Sequence, residues 1–154
     1  MYLDRLKKKH LQLGHIFRKK VKPCTIDEID YLESNIGFSL PKSYREFMLW
    51  GGHQTGGLMD GSDCFFEHLL PIQETAREIL SDDEFEKPLP QKAFIFLMHQ
   101  DYQFLFFDAG EGENPFVYSY RENQAPRFFE KHYRYTDFLL DILEKEAIFR
   151  ESSI

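Results

Sequence analysis

The chain has 154 residues, a length typical of one domain that buries a sizeable core. It has only two cysteines, Cys24 and Cys64, which excludes the disulfide framework of a small secreted protein. The sequence contains no run of about 18 apolar residues and no apolar block after its first lysines, so neither a transmembrane helix nor a signal peptide is predicted. We therefore expect a soluble cytoplasmic protein without a membrane partner.

Charge divides the chain at residue 24. Residues 1–24 contain eight Lys and Arg against one acidic residue, whereas residues 25–154 contain 11 basic and 25 acidic residues and carry a net charge of −14. We predict a basic N-terminal helix or arm over 1–24 and a single domain over 25–154. An acidic body repels nucleic acid and attracts basic proteins. Nucleic-acid binding by the arm stays open as an alternative, and deletion of residues 1–22 would abolish it.

Residues 25–52 predict two helices joined by a tight turn. Thr25 followed three residues later by Glu28 is a capping box, which marks a helix start. Gly37 can adopt the left-handed conformation that ends a helix, and Pro41 suits the first turn of the next one. A Gly pair at 51–52 ends the second helix. The predicted inward residues are Ile26, Ile29, Leu32 and Ile36, then Tyr44, Phe47 and Met48.

A glycine-rich loop over residues 53–63 separates this helix pair from the rest of the chain. A third helix is predicted from Pro71 to Leu80, followed by strands over 93–98, 102–107 and 116–120 with short turns between them. A last helix opens at Thr136 and Asp137, with predicted inward rows that include Phe138 and Phe149. The fold class is therefore α+β: N-terminal helices, a central antiparallel or mixed β-sheet, and a C-terminal helix packed on the sheet.

The order of residues in the helix pair resembles the signature of the SUKH superfamily, which includes the Smi/Knr-like regulators of fungal cell-wall synthesis and many bacterial immunity proteins. The resemblance rests on Thr25, Ile26, Glu28, Glu33, Gly37, Leu40, Pro41, Tyr44, Phe47, Gly51 and Gly52. It continues more weakly to the C-terminus. The resemblance implies a SUKH-like fold and a non-catalytic protein that binds another protein.

No sequence motif supports a catalytic or metal-binding function. The glycine-rich loop lacks the Gly-Lys-Ser/Thr of a phosphate-binding loop and the spacing of a calcium loop. Cys64 and His68 are four residues apart, so they could meet on one helix face, but no second Cys/His pair lies nearby and local packing is favoured. We predict no catalytic residue, no metal ligand and no cofactor.

Recognition of a protein partner is the function that remains. Aromatic anchors with charged rims are typical of protein interfaces. The predicted partner-binding residues are Trp50, His53, Asp60, Asp63, Asp101, Tyr102, Glu111 and Glu113. For Trp50, a place in the core is favoured over a role as an interface anchor.

Three function classes follow. The first is an immunity protein that occludes the active site of a cognate toxin, possible targets including basic nucleases. The second is a regulator or scaffold for an endogenous partner. The third, an enzyme or small-ligand binder, would require a deep pocket with converging titratable groups.

Overall fold

The computed structural model describes residues 1–123 and 127–152. These residues form five α-helices: α1 (Asp4–Gln12), α2 (Ile26–Ile36), α3 (Lys42–Gly51), α4 (Phe66–Asp82) and α5 (Tyr135–Ser152). They also form six strands: β1 (Val21–Lys22), β2 (Gln54–Thr55), β3 (Ala93–His99), β4 (Gln103–Asp108), β5 (Phe116–Arg121) and β6 (Glu130–Arg134). The predicted α+β class is confirmed. None of the helices in the described ranges is long and apolar enough to cross a membrane.

The central sheet has the strand order β3-β4-β5-β6, and every neighbouring pair in it is antiparallel. The three strands predicted from apolar runs are β3, β4 and β5. Strand β6 was not predicted, because its residues are mostly charged and exposed and have no apolar alternation. The two-residue strands β1 and β2 pair in a separate small sheet and were also not predicted.

Aromatic rings fill both faces of the sheet, because side chains alternate between the faces along each strand. On one face, Phe96 packs 5.6 Å from Phe107 and 5.3 Å from Tyr135 of α5, measured between ring centroids. On the other face, Phe104 stacks on Tyr120 at 5.5 Å and Phe106 on Tyr118 at 5.4 Å. The high aromatic content of the sequence is therefore largely core.

The predicted helix pair is confirmed, with two differences in detail. Thr25 Oγ1 accepts from the backbone N–H of Glu28, and Glu28 Oε1 accepts from the backbone N–H of Thr25, so both halves of the capping box are present. Gly37 ends α2 with a φ of 85°. Pro41 lies one residue earlier than predicted, at the N-cap of α3 rather than in its first turn. The side chain of Ile26, predicted to face inward, is exposed because it lies on the solvent side of the first turn.

Helix α4 begins at Phe66, five residues before the predicted start at Pro71. Pro71 does not open the helix but lies within it, near its N-terminal end, and Leu69 already belongs to the buried stripe. The N–H of Phe66 donates to the carbonyl of Gly52 at 2.9 Å, so the end of α3 satisfies a group that the helix start leaves free.

Helix α5 packs on the sheet as predicted, with Tyr135, Phe138 and Leu139 among its buried residues. Phe149, predicted to face inward, is 73% exposed because the buried row ends with Ala147. Helix α1 packs against α5, and Leu3 and Leu6 belong to the same hydrophobic core as the rest of the chain. The division of the chain at residue 24 stays a prediction.

Candidate protein-binding surface

The structure distributes the eight predicted partner-binding residues over separate parts of the molecule. In an antiparallel meander, successive turns lie at opposite ends of the sheet. Asp101 and Tyr102 lie in the β3–β4 turn, whereas Glu111 and Glu113 lie in the β4–β5 connection. The length of β4 separates the two groups by roughly 20 Å. One compact partner site therefore does not contain all eight residues.

Asp101 and Tyr102 belong to what we call the turn-end surface. This surface also contains Asp63, His68 and His99. Asp63 pairs with Met98 through two backbone hydrogen bonds of 2.9 Å, which fix it beside β3. Its carboxylate lies 3.8 Å from His68 Nε2. The His99 ring contacts the exposed ring of Tyr102 edge-on at 5.7 Å between centroids. Acidic, histidine and tyrosine side chains therefore share one exposed end of the sheet.

The β3–β4 turn holds this surface in a defined conformation. His99 pairs with Gln103, so the connection has three residues, and Gln100 and Asp101 both have positive φ, 49° and 57°, as the central residues of a type I′ turn require. The N–H of Tyr102 donates to the carbonyl of His99 at 3.2 Å, and the N–H of Glu122 donates to the carbonyl of Tyr102 at 2.7 Å. The backbone is therefore anchored on both sides of Asp101.

The opposite end of the sheet contains Glu111 and Glu113, which have partners within the molecule. Tyr118 donates its hydroxyl to Glu111 Oε2 at 3.0 Å, and burial together with this carboxylate raises the pKa of Tyr118 to about 12. Glu113 lies 3.8 Å from Lys42 Nζ, and its carbonyl accepts from the N–H of Ser43. Both carboxylates remain exposed.

Trp50 is a residue of α3, and its ring packs toward α1. Its ring meets His10 edge-on at 5.1 Å and lies 6.1 Å from Phe47. The side chain is half-buried against the core. Burial lowers the pKa of His10, so this ring is neutral at physiological pH. The packing agrees with the alternative that Trp50 is a core residue, while its role in binding stays a prediction.

The glycine-rich loop is tied to α5 and to the N-terminal segment. Glu146 of α5 accepts from the N–H of Met59 at 3.1 Å, and Arg150 donates to the carbonyl of Gly57. Asp60, one of the predicted residues, pairs with Lys19. Burial raises the pKa of Glu146, although the Met59 N–H and Arg150 oppose the shift. These contacts make the loop a fixed part of the fold.

His53, another predicted residue, lies in a cluster that the sequence did not predict. Its Nε2 is 2.8 Å from Glu28 Oε2, and Cys24 lies beside both, so that the three ligand-type atoms are within 4.8 Å of one another. Burial and the Glu28 carboxylate raise the pKa of Cys24 to about 12, so the thiol is protonated and a poor nucleophile. The cluster is therefore not a catalytic triad in this state.

The Cys64 and His68 side chains do not form the pair that their spacing allows. Cys64 precedes α4 and donates its thiol to the carbonyl of Met59 at 3.8 Å, and burial raises its pKa. His68 Nε2 instead lies near two carboxylates, those of Asp63 and Glu67. The local packing favoured from the sequence is what the structure has.

A groove of about 980 Å³ lies between α4 and residues 85–91. Its lining combines apolar side chains such as Leu70 and Phe85 with charged ones such as Arg77 and Lys87. Within the described ranges, no residue of the glycine-rich loop lines it. A small-ligand function built on that loop therefore finds no pocket here.

The comparison with protein families identifies the fold family. A model of the SMI1 / KNR4 family (SUKH-1) matches residues 23–139, which is more than half of the chain. The match includes α2 to β6, and both ends of the sheet lie within it. A search of the curated proteins finds no match. The predicted resemblance is confirmed, and the chain belongs to the SMI1 / KNR4 family (SUKH-1).

Proposed function

We propose that this protein is an immunity protein, a non-catalytic cytoplasmic module that neutralises a cognate bacterial toxin by binding over its active site. Family membership supports a protein-binding module of the immunity or regulatory kind. The two cysteines are free and buried, which is compatible with a reducing compartment.

The observation that carries the proposal is the turn-end surface. It combines the exposed carboxylates of Asp63 and Asp101 with the exposed ring of Tyr102 on an anchored hairpin. A rigid aromatic residue loses little conformational entropy on binding, and surrounding charges select the partner. A site fixed before binding is suited to tight inhibition.

The charge of the chain favours a basic partner. Residues 25–154 carry a net charge of −14, which would steer a basic toxin such as a nuclease toward the protein and accelerate association. Blockade of a phosphate-binding surface by carboxylates requires no chemistry from the inhibitor. The inhibition would be steric and electrostatic, and it would weaken as ionic strength rises.

The alternative is a regulator or scaffold that binds an endogenous partner through the same surface, which family membership supports equally. The neighbouring gene separates the two functions. Growth protection against the product of an adjacent toxin gene favours immunity, whereas a partner encoded elsewhere favours regulation.

The test compares two variants that remove the same number of carboxylates from opposite ends of the sheet. Isothermal titration would measure binding to the product of the adjacent toxin gene. We expect Asp63→Asn combined with Asp101→Asn to raise Kd by about 10- to 100-fold, equal to about 1.4–2.8 kcal/mol. Glu111→Gln combined with Glu113→Gln makes the same change in net charge at the other end. It should raise Kd less than threefold.

Two results would contradict the proposal. If the adjacent toxin does not bind, the immunity function is wrong. If both double variants weaken binding equally, net charge determines affinity and the turn-end surface is not the interface. Co-expression with the toxin in a bacterial host provides the functional readout, since the turn-end variant should lose protection while the opposite-end variant retains it.

A further inference from the structure

We infer that Cys24, Glu28 and His53 form a binding site for a divalent transition-metal ion of the zinc type. The inference is independent of the proposed immunity function, because the three residues lie outside the turn-end surface. They come from three segments: the link between β1 and α2, the first turn of α2, and the residue that follows α3 by two positions.

The distances between the ligand atoms are close to those around such an ion. Zinc binds sulfur at about 2.3 Å and nitrogen or oxygen at about 2.0–2.2 Å, so its tetrahedral ligands lie roughly 3.3–3.6 Å from one another. Here the three ligand atoms lie within 4.8 Å of one another, and His53 Nε2 lies 2.8 Å from Glu28 Oε2. Side-chain rotations that move these atoms by about 1 Å or less would bring all three within bonding distance of an ion.

Each ligand is already held by the fold. The N–H of Thr25 donates to Glu28 Oε1 at 2.9 Å, which leaves Oε2 facing His53. The backbone N–H of His53 donates to the carbonyl of Lys22 at 3.0 Å, and its ring lies 5.4 Å from Phe66. Hydrogen bonds to the second oxygen of a ligating carboxylate, such as that from Thr25, orient the carboxylate in metal sites.

The thiol is also positioned by its surroundings. The N–H of Cys24 donates to the carbonyl of Met48 at 2.9 Å. A Cβ atom at position 52 would lie 2.4 Å from Cys24 Sγ, so Gly52 provides the space that the sulfur occupies. The glycine that ends α3 thus has a packing role next to the ligand.

The donor set selects the ion. One sulfur, one nitrogen and one oxygen suit zinc and related ions, whereas calcium and magnesium prefer oxygen ligands alone. A zinc ion with a thiolate, a carboxylate and a neutral imidazole gives a site without net charge, and the thiol proton leaves to solvent on binding. Half-exposed Glu28 and exposed His53 leave the fourth position open to water. The ion would cross-link the three segments and stabilise the folded state.

Titration of the full-length protein, first treated with a chelator, with zinc chloride tests the site. We expect one ion per chain and a rise in Tm of about 5–10 °C at a zinc concentration 100 times Kd. Cobalt should give a thiolate-to-cobalt charge-transfer band, and magnesium should give neither effect. The variants Cys24→Ala, Glu28→Gln and His53→Gln should each raise Kd at least tenfold. Gln at position 28 still completes the capping box, so that variant removes the ligand and keeps the helix start.

The matched controls are Cys64→Ala and His68→Gln, which remove a thiol and an imidazole elsewhere. They should leave zinc affinity and the cobalt band unchanged. Absence of stoichiometric zinc binding would overturn the inference. So would cobalt binding without the charge-transfer band, or affinity that survives Cys24→Ala, since either result would place the ion on other residues. The absence of that band in the unaltered protein would overturn the inference without any variant, whereas a band that is present is assigned to Cys24 or Cys64 by the two alanine variants.

Discussion

The two edges of the central sheet differ in whether their outer backbone groups have hydrogen-bond partners. Along the outer edge of β3, side chains and backbone from other segments occupy the hydrogen-bonding groups that a neighbouring strand would use. Along β6, no strand or bridge from residues 1–123 or 127–152 pairs with the outer side. An unpaired edge is a template for association with another chain. The protein therefore closes one edge by folding and leaves the other to be protected by its side chains.

Closure of the β3 edge depends on an amide and a short backbone bridge. The carbonyl oxygen of Gln73 accepts from the N–H of Ile95 at 3.0 Å, and its amide nitrogen donates to the Ile95 carbonyl at 2.6 Å. Asp63 makes the equivalent backbone pair with Met98. Residues on one edge of a regular strand are two apart, and here they are three apart because a bulge shifts the register between Ile95 and Leu97.

Protection of the β6 edge depends on charge. Glu130, Lys131 and Arg134 are exposed along a strand of only five residues. Lys131 Nζ and the Arg134 guanidinium lie 4.1 and 4.3 Å from the centroid of the Phe116 ring. Short charged edge strands resist pairing with other chains. The contrast predicts that substitutions at the β3 edge lower the free energy of unfolding strongly and that substitutions at β6 lower it little.

The largest effect should come from Gln73→Leu. The substitution leaves the buried N–H and carbonyl of Ile95 without partners, and each unsatisfied group costs about 1–3 kcal/mol. We expect the free energy of unfolding to fall by about 2–4 kcal/mol, measured by urea denaturation. Hydrogen exchange should show faster exchange at the Ile95 amide.

The control for this variant is Glu74→Ala, one position further along the same helix and exposed. A change there should stay within about 0.5 kcal/mol. If Gln73→Leu lowers the free energy of unfolding by no more than this, the β3 edge does not depend on the Gln73 amide. The proposed contrast between the two edges is then wrong.

A smaller effect is expected from Asp63→Pro. Proline lacks the N–H that donates to the Met98 carbonyl, so one of the two bridge bonds is lost. The free energy of unfolding should fall by about 1–2 kcal/mol, since an internal hydrogen bond contributes about 1 kcal/mol and the exposed Asp63 backbone can be partly hydrated. Asp63→Ala keeps the N–H and should change stability by less than about 0.5 kcal/mol. Similar losses in both variants would show that the side chain, rather than the bridge, stabilises this edge.

Local signals in the sequence predicted much of the fold. The capping box at Thr25, the glycine at position 37 and the apolar runs of β3 and β4 each act within a few residues, so each could be identified without the tertiary structure. Strand β6 has no such signal, because charged exposed residues do not alternate with apolar ones. The start of α4 was placed too late, since Pro71 is a helix-start signal that the packing of Leu69 overrides.

The candidate sites were harder to predict, because they depend on contacts between distant residues. Glu28 and His53 are 25 residues apart, and Gln73 and Ile95 are 22 apart. No spacing pattern connects such pairs. One part was available from the sequence: consecutive turns of a meander lie at opposite ends, which already separates Asp101 from Glu111.

The smallest effect should come from Lys131→Met at the open edge. Methionine keeps the apolar stem that covers Phe116 and removes only the ammonium group, so the loss is limited to the cation–π interaction, about 0.5–1 kcal/mol at an exposed site. Lys131→Arg keeps a cation over the ring and should lose less. Urea denaturation measures the free energy of unfolding of both variants, and sedimentation velocity shows whether the edge associates after it has lost one charge. A loss as large as that of Gln73→Leu would mean that β6 is held as tightly as β3, because exposed charge contacts alone do not supply several kcal/mol.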